Sequence, residues 1–179
     1  WKLPVVYIIE NNKYSMGTTI DRSSAMRNCL AGRADGYGIV WDIANGEDLY
    51  EVRAKAANAM RRAHEQSLPT VLEIDTYRYY GHSVADANAK KYRSADEIER
   101  YKTYHDPIRL WKKRLIEEGV TTEAEMDAMD ETIKQEANAS AEFAIQSENP
   151  APESIFEDVY WEVDNQTEAG TTGRHFFGD

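Results

Sequence analysis

An open α/β sheet of parallel strands is the fold class this sequence predicts, and three observations predict it. Residues 5–9 (VVYII) form a continuous β-branched and aromatic run, the pattern of a strand buried on both faces. Residues 70–74 (TVLEI) read as a further buried strand. Between the two lies a stretch with helical periodicity, entered through a turn at Asn45-Gly46. Strand, helix and strand at these intervals call for parallel pairing through crossover helices, packed on both faces of the sheet.

Taken in order, the first run is ended by polar Glu10-Asn11-Asn12-Lys13, and Ile39-Val40-Trp41 forms another short strand. Asp48 with Glu51 makes a capping box for the crossover helix. Val52, Ala56, Met60 and Ala63 recur along it near helical spacing, and Leu68-Pro69 closes it. After the strand at 70–74 comes a long loop, and from Ser94 onward the chain turns helical. Ser94 with Glu97 caps one helix, and Asp106-Pro107 starts a second with proline at its first position. Ile108, Trp111 and Leu115 supply its apolar stripe, and Gly119 ends it. Thr122 with Glu125 caps a third helix, along which Met126, Met129, Ile133 and Ala137 share a face, and Asn149-Pro150-Ala151-Pro152 stops it. These stripes are expected to be core packing. Beyond them Ile155, Phe156, Val159 and Tyr160 suit docking on a neighbour, and the Gly/Thr-rich end is expected to be mobile. The expected division is a cofactor-loop α/β part at 1–93, a helical extension at 94–149 and a tail at 150–179.

Composition narrows the function classes. The formal charge is −11, and residues 117–153 carry eleven acidic side chains against one basic, Lys134. An acidic face of that kind repels phosphates and anionic lipid, so neither nucleic acid nor a membrane is expected as a partner. The stretch reads as a solvated helix surface. No apolar run approaches the ~20 residues of a membrane helix. The single Cys29 excludes an internal disulfide and a cysteine metal site. Two sequons, at Asn138 and Asn165, are read as chance. The opening Trp-Lys-Leu-Pro runs straight into apolar residues without a basic leader, as expected for a position inside a domain.

In open α/β sheets ligands gather at the carboxyl ends of the strands. Here those ends are residues 10–17 and 75–93. In the first, an Asn amide oxygen and a backbone carbonyl two residues later can both face a hard cation such as Mg²⁺, although Asn pairs also simply form turns. The second holds Tyr77-Arg78-Tyr79-Tyr80-Gly81-His82-Ser83, then Asp86 and Tyr92-Arg93. Arg78 and Arg93 offer planar, permanently charged donors suited to phosphate. Gly81 permits close backbone approach, and His82 brings an imidazole that can give or take a proton. An anion site is one reading of this group; ordinary surface Arg and His are the other. There is no G-x-G-x-x-G and no Walker lysine motif, so a generic nucleotide-binding domain finds no support.

Considered together, the two loops resemble a known family. Glu10-Asn11-Asn12-Lys13-Tyr14 with Met16-Gly17-Thr18 resembles the second half of the thiamine diphosphate motif, whose Gly-Asp-Gly half is not within these 179 residues. Tyr77-Arg78 with Gly81-His82-Ser83, closed by Tyr92-Arg93-Ser94, resembles the phosphorylation loop of alpha subunits of thiamine-diphosphate-dependent 2-oxo acid dehydrogenases. Asp106-Pro107-Ile108 and the acidic helices resemble the same family's C-terminal part, so the likeness runs from Trp1 to about Tyr160. It implies the C-terminal half of the thiamine-diphosphate-binding α/β fold.

The resemblance also implies roles. Asn12 is similar to the side-chain ligand of Mg²⁺ and Tyr14 to the residue whose carbonyl also binds the ion. The third protein ligand would lie upstream. Met16, Gly17, Arg78, His82 and Ser83 match residues around the cofactor, and His82 is the expected catalytic residue, a proton donor or hydrogen-bond partner during acyl transfer. Ser83 matches a serine phosphorylated in mitochondrial members. Here Val84-Ala85-Asp86-Ala87 replaces the typical Met-Ser-Asp-Pro, so a kinase site is not expected and Ser83 reads as a small packed loop residue. The implied cofactors are thiamine diphosphate and Mg²⁺. The implied partners are an upstream alpha segment completing the sheet, a beta subunit in a heterotetramer of two alpha and two beta chains, and a lipoyl-bearing acyltransferase core. Pyruvate is the expected substrate, because Gly81 precedes His82 where the branched-chain pattern has a second His. Branched-chain 2-oxo acids, acetoin and a non-catalytic interaction piece are the alternatives. A bacterial cytoplasm is the expected compartment, with the mitochondrial matrix as alternative.

Overall fold

The computed structural model describes residues 1–26, 29–86 and 92–157, without the side chain of Val84. Ala87, Val159, Tyr160 and the Gly/Thr-rich end lie outside the described residues. The described residues fall into two compact units, divided after Met126. Among the described residues there are five short strands: β1 (Val6–Asn11), β2 (Tyr14–Ser15), β3 (Thr18–Thr19), β4 (Val40–Asn45) and β5 (Thr70–Asp75). The helices are α1 (Ile20–Ser23), α2 (Leu49–Gln66), α3 (Ala95–Tyr104), α4 (Pro107–Glu117) and α5 (Glu123–Gln146). Short 3₁₀ turns occupy Ala31–Tyr37, Val84–Asp86 and Pro152–Phe156.

The sheet has the order β1-β5-β4 with every pairing parallel, as an α/β crossover fold requires. Strand β5 is central, which is why its apolar run is the most buried, with Leu72 and Glu73 almost fully enclosed. Successive side chains of a strand point to opposite faces. Glu73 accepts from the amide of Ala31, and Trp41 Nε1 donates to Asp35, so the Ala31–Tyr37 turn covers one face. Helix α2 covers the other, where Lys55 reaches Asp42. Helical segments, a 3₁₀ turn on one face and α2 on the other, therefore cover the sheet on both faces as the sequence predicts.

Four details differ from expectation. Strand β1 runs past Ile9 to Asn11, because the backbone of Glu10 and Asn11 stays paired with Ile74 and Asp75. It is not buried on both faces: Tyr7 is 51% and Ile8 57% exposed, because neither side chain is covered by another described element. In α2 the buried face runs through Ala59 and Ala63, whereas Met60 is 55% exposed. Met60 lies one residue, about 100° of helix, from Ala59 and so turns away from the sheet. The stripes of the later helices are also thinner than core packing implies. Ile108, Met129 and Ile133 are each more than half exposed, and neither α4 nor α5 has a fully buried residue.

The caps explain where helices start and stop. Asp48 accepts from the amides of Tyr50 and Glu51, but Glu51 turns to Lys55 instead of reaching back, so the box is half formed. Ser94 accepts from the amide of Glu97, and Asp106 accepts from those of Ile108 and Arg109 with Pro107 at the first position. Thr122 and Glu125 bond reciprocally, a complete capping box. At the end of α4 the amide of Val120 reaches Leu115 and that of Gly119 reaches Ile116. That is a Schellman motif, and it needs the positive φ of 68° that Gly119 supplies.

Candidate functional site

The two loops singled out by the sequence leave the sheet side by side. Asn11 at the end of β1 and Asn45 at the end of β4 are both in register with Asp75 at the end of β5. The turn after β4 is locked to β5 by a bond from the Gly46 amide to the Asp75 carbonyl. A Cβ at Gly46 would sit 2.2 Å from that carbonyl oxygen, so only glycine fits.

In the first loop the side chains of Asn11 and Asn12 do different work. Asn11 points inward: its amide nitrogen donates to Glu73 at 2.6 Å, while its oxygen accepts from the amide of Lys13. Asn12 is half-buried, and its oxygen accepts from the amide of Tyr14 at 3.1 Å. Two successive Asx turns result, with Lys13 in the left-handed region at φ 68°. The Lys13 ammonium pairs with Asp75, tying this loop to the end of β5. Strands β2 and β3 then form a small hairpin, whose tip holds Met16 at φ 51°. Gly17 packs against Tyr92, whose ring would lie 3.3 Å from an added Cβ. A cleft of about 300 Å³ opens over Asn12 and Tyr14, walled by Glu10, Ile20, Leu30 and Arg33.

The second loop is braced by tyrosines. Tyr77 stacks on Tyr101 of α3 with ring centroids 3.8 Å apart, and its hydroxyl donates to Glu97. Tyr79 donates to Asp106, the cap of α4. Burial, then the bond to Asp106, pushes the Tyr79 hydroxyl up to about 12; burial, then the bond to Glu97, raises Tyr77 as well. Both therefore remain donors at neutral pH. Burial acts most strongly on Asp106 and pushes its carboxyl up. The Arg109 amide, the Tyr79 hydroxyl, the Ile108 amide and the Arg109 charge together outweigh it and hold Asp106 below the usual range.

Arg93 joins the two loops. It is 3% exposed, and its guanidinium carbon lies 4.2 Å from the ring centre of Tyr14 and 4.9 Å from that of Tyr77. It donates to the carbonyls of Arg78 and Tyr80. Its Nε and Nη2, together with Nη2 of Arg78, are buried donors without a partner among the described residues. Leaving such groups unbonded is costly, and an anion with several oxygens is the chemistry that would satisfy them. The donor chemistry suits a diphosphate, which reaches these enclosed nitrogens only if the side chains packed around them shift. For a divalent cation the donor set is partial. Asn12 keeps a free lone pair and Tyr14 offers a carbonyl, but no group of three or more His, Cys, Asp or Glu capable of holding a metal occurs among the described residues.

His82 sits at the exposed tip of the second loop, with its Nδ1 3.3 Å from Arg78 Nη1. An arginine can only donate, so Nδ1 accepts and the ring proton falls on Nε2, an assignment from the bonding pattern. Its backbone amide donates to Asp86, which also accepts from the Tyr92 hydroxyl at 2.7 Å. The close approach at Gly81 is made by the loop itself: a Cβ there would fall 1.3 Å from the carbonyl oxygen of Asp86. Ser83 is exposed, contrary to its reading as a packed loop residue, because the turn at Val84–Asp86 carries it outward.

The geometry thus brings Arg78, His82, Asp86, Tyr92 and Arg93 together, and joins them to Tyr14 through Arg93. Asn12 belongs to the neighbouring turn. Glu73 was not singled out from the sequence, although a carboxylate inside an otherwise apolar strand was the available signal.

Residues 1–153 match the family of the dehydrogenase E1 component, and the chain belongs to that family. Among curated relatives, it is 41% identical over 159 residues to the pyruvate dehydrogenase E1 component subunit alpha of Zymomonas mobilis, covering 89% of this chain and 44% of that protein. It is 38% identical over 159 residues to the subunit of the same name from Rhizobium meliloti, covering 89% and 45%. To the testis-specific mitochondrial form of Rattus norvegicus it is 34% identical over 160 residues, covering 89% and 40%. The chain spans under half the length of these relatives.

Proposed function

We propose that this chain is the part of an alpha subunit that grips the diphosphate and Mg²⁺ of thiamine diphosphate for the oxidative decarboxylation of pyruvate, with transfer of the acetyl group to lipoyl. The observation that carries the reading is the set of unpartnered guanidinium donors on Arg78 and Arg93 at the joined ends of β1 and β5. Thiamine diphosphate, when bound, supplies the electron sink that decarboxylation needs. Arg78 and Arg93 neutralise its diphosphate, the Asn12 oxygen and the Tyr14 carbonyl hold Mg²⁺ with an upstream ligand, and the Met16-Gly17 hairpin and Ser83 border the group. His82 keeps its proton on Nε2 and gives a hydrogen bond or proton during acyl transfer. His82→Ala should slow lipoyl acylation; acylation at the normal rate would remove His82 from this role.

The partners proposed are an upstream alpha segment, a beta subunit in a heterotetramer, and a lipoyl-bearing acyltransferase core, in a bacterial cytoplasm or, as alternative, a mitochondrial matrix. Among the described residues no helix is long and apolar enough to cross a membrane. The deciding experiment assays the full-length chain with its beta partner on pyruvate, a branched-chain 2-oxo acid and acetoin. Carbon dioxide release from pyruvate that requires both thiamine diphosphate and Mg²⁺ supports the reading. Preference for either other substrate reassigns the enzyme, and no turnover of any would favour a non-catalytic interaction piece.

A further inference from the structure

Glu73 is the one carboxylate buried outright among the described residues, at 0% exposure. It stands in the middle of the central strand, where carboxylates are disfavoured and where burial of a charge costs several kcal/mol. Neither of its partners is a cation. One oxygen accepts from the Asn11 side-chain amide at 2.6 Å and the other from the Ala31 backbone amide at 2.8 Å. A leucine here would pack at lower cost, so the carboxylate does something packing cannot.

What it does can be followed bond by bond. Because the Lys13 amide can only donate, the Asn11 oxygen must face the loop, which turns the Asn11 NH₂ to Glu73, whose two oxygens both accept. That oxygen takes the amide of Lys13 at 3.0 Å and holds Lys13 at φ 68°, a conformation uncommon for a side-chain-bearing residue. With Lys13 so turned, Asn12 accepts from Tyr14 and the chain enters the β2–β3 hairpin. The orientation of one buried amide thus sets the turn that carries Asn12 and Tyr14.

We propose that Glu73 is a positioning residue that presets the Asn12–Tyr14 turn for a divalent cation before the cation arrives. The cation part rests on the function proposed above. The presetting itself rests on the hydrogen-bond network.

The test uses the full-length chain with its partner and two variants. In Glu73→Gln the new side chain has one acceptor and one NH₂, so it can satisfy only one of two facing donors. In Asn11→Asp/Glu73→Gln the polarity is reversed. The carboxylate introduced on β1 accepts both from the side-chain NH₂ introduced on β5 and from the Lys13 amide, while the side-chain oxygen introduced on β5 still accepts from Ala31. Hydrogen exchange of the metal-free protein should show the Lys13 and Tyr14 amides about tenfold faster in Glu73→Gln, the worth of one hydrogen bond, with β5 amides unchanged. The double variant should restore their protection. Mg²⁺ titration should show affinity lower by about 10- to 100-fold in Glu73→Gln, the usual effect of losing a supporting bond behind a ligand. Unchanged protection at Lys13 and Tyr14 in Glu73→Gln would overturn the proposal, as would failure of the double variant to restore it. If Glu73→Gln does not fold, a double variant that folds with normal protection supports it, and one that also fails to fold overturns it. Wild-type protein that takes up no Mg²⁺ would refute the proposed function and the cation part with it, while the exchange result still decides the presetting.

Discussion

Replacing Arg93 by Met separates what this residue does for the fold from what it does for a ligand. Methionine keeps an unbranched stem against the rings of Tyr14, Tyr77 and Tyr92 and removes the charge. In the ligand-free protein the losses are the cation–π contacts, about 0.5–2 kcal/mol each, and the bonds to the Arg78 and Tyr80 carbonyls. Against them stands the removal of two buried, unpartnered cationic donors, Nε and Nη2, each of which costs about 1–3 kcal/mol as it stands. The opposing terms are of the same order and largely offset each other. With a diphosphate present the balance is one-sided. A charge-assisted bond is worth about 1.5–3 kcal/mol, so affinity for thiamine diphosphate should fall roughly 10- to 150-fold. The assay is thermal unfolding of the full-length assembled protein with and without thiamine diphosphate, and with inorganic diphosphate as the minimal anion. Arg93→Met should unfold near the wild-type temperature when free and lose most of the ligand-induced rise. Equal rises in the two proteins would refute the assignment of these donors to a diphosphate.

Gly81→Ala should displace the loop, since its methyl would overlap the Asp86 carbonyl; hydrogen exchange should report lost protection at the His82 amide, with little change in unfolding temperature because the loop is exposed. Asp106 titrates below the ordinary carboxylate value in the fold, so its contribution is present above pH ~4 and is lost as pH falls through its lowered folded value. Asp106→Asn should accordingly flatten the acid limb of an unfolding curve below pH ~4. The Tyr79 hydroxyl, raised to about 12, contributes below its ordinary value and loses that contribution as pH rises through the folded one, so Tyr79→Phe should flatten the alkaline limb. Thr122→Ala removes a complete capping box and should cost the start of α5 about 1 kcal/mol, read as faster exchange in its first turn.

What could be read from the sequence was what depends on near neighbours. Asp106-Pro107, Ser94 with Glu97, Thr122 with Glu125 and Gly119 all mark helix ends through contacts within a few residues, and each end falls where it was expected. The central strand was legible because burial on both faces leaves an apolar run, interrupted here only by Glu73. Met60 misled because helical spacing alone does not say which of two adjacent apolar residues faces the sheet. Tyr7 and Ile8 misled because a run built for two covered faces reads the same whether or not a cover is present in the chain. The site was legible as two loops at strand ends, but its linking element was not. Arg93 meets Tyr14 from 79 residues away, and Glu73 meets Asn11 from 62. Side chains that satisfy each other over such distances leave no local pattern, beyond an oddly placed charge in an apolar strand.

Calorimetric titration of thiamine diphosphate with Mg²⁺ into the full-length chain assembled with its partner, beside Arg78→Met and Asn12→Ala, bears most directly on the proposed function. Saturable uptake by the wild type that requires the metal, weakened in both variants, is the result expected. Absence of uptake, or uptake that neither variant alters, would contradict it.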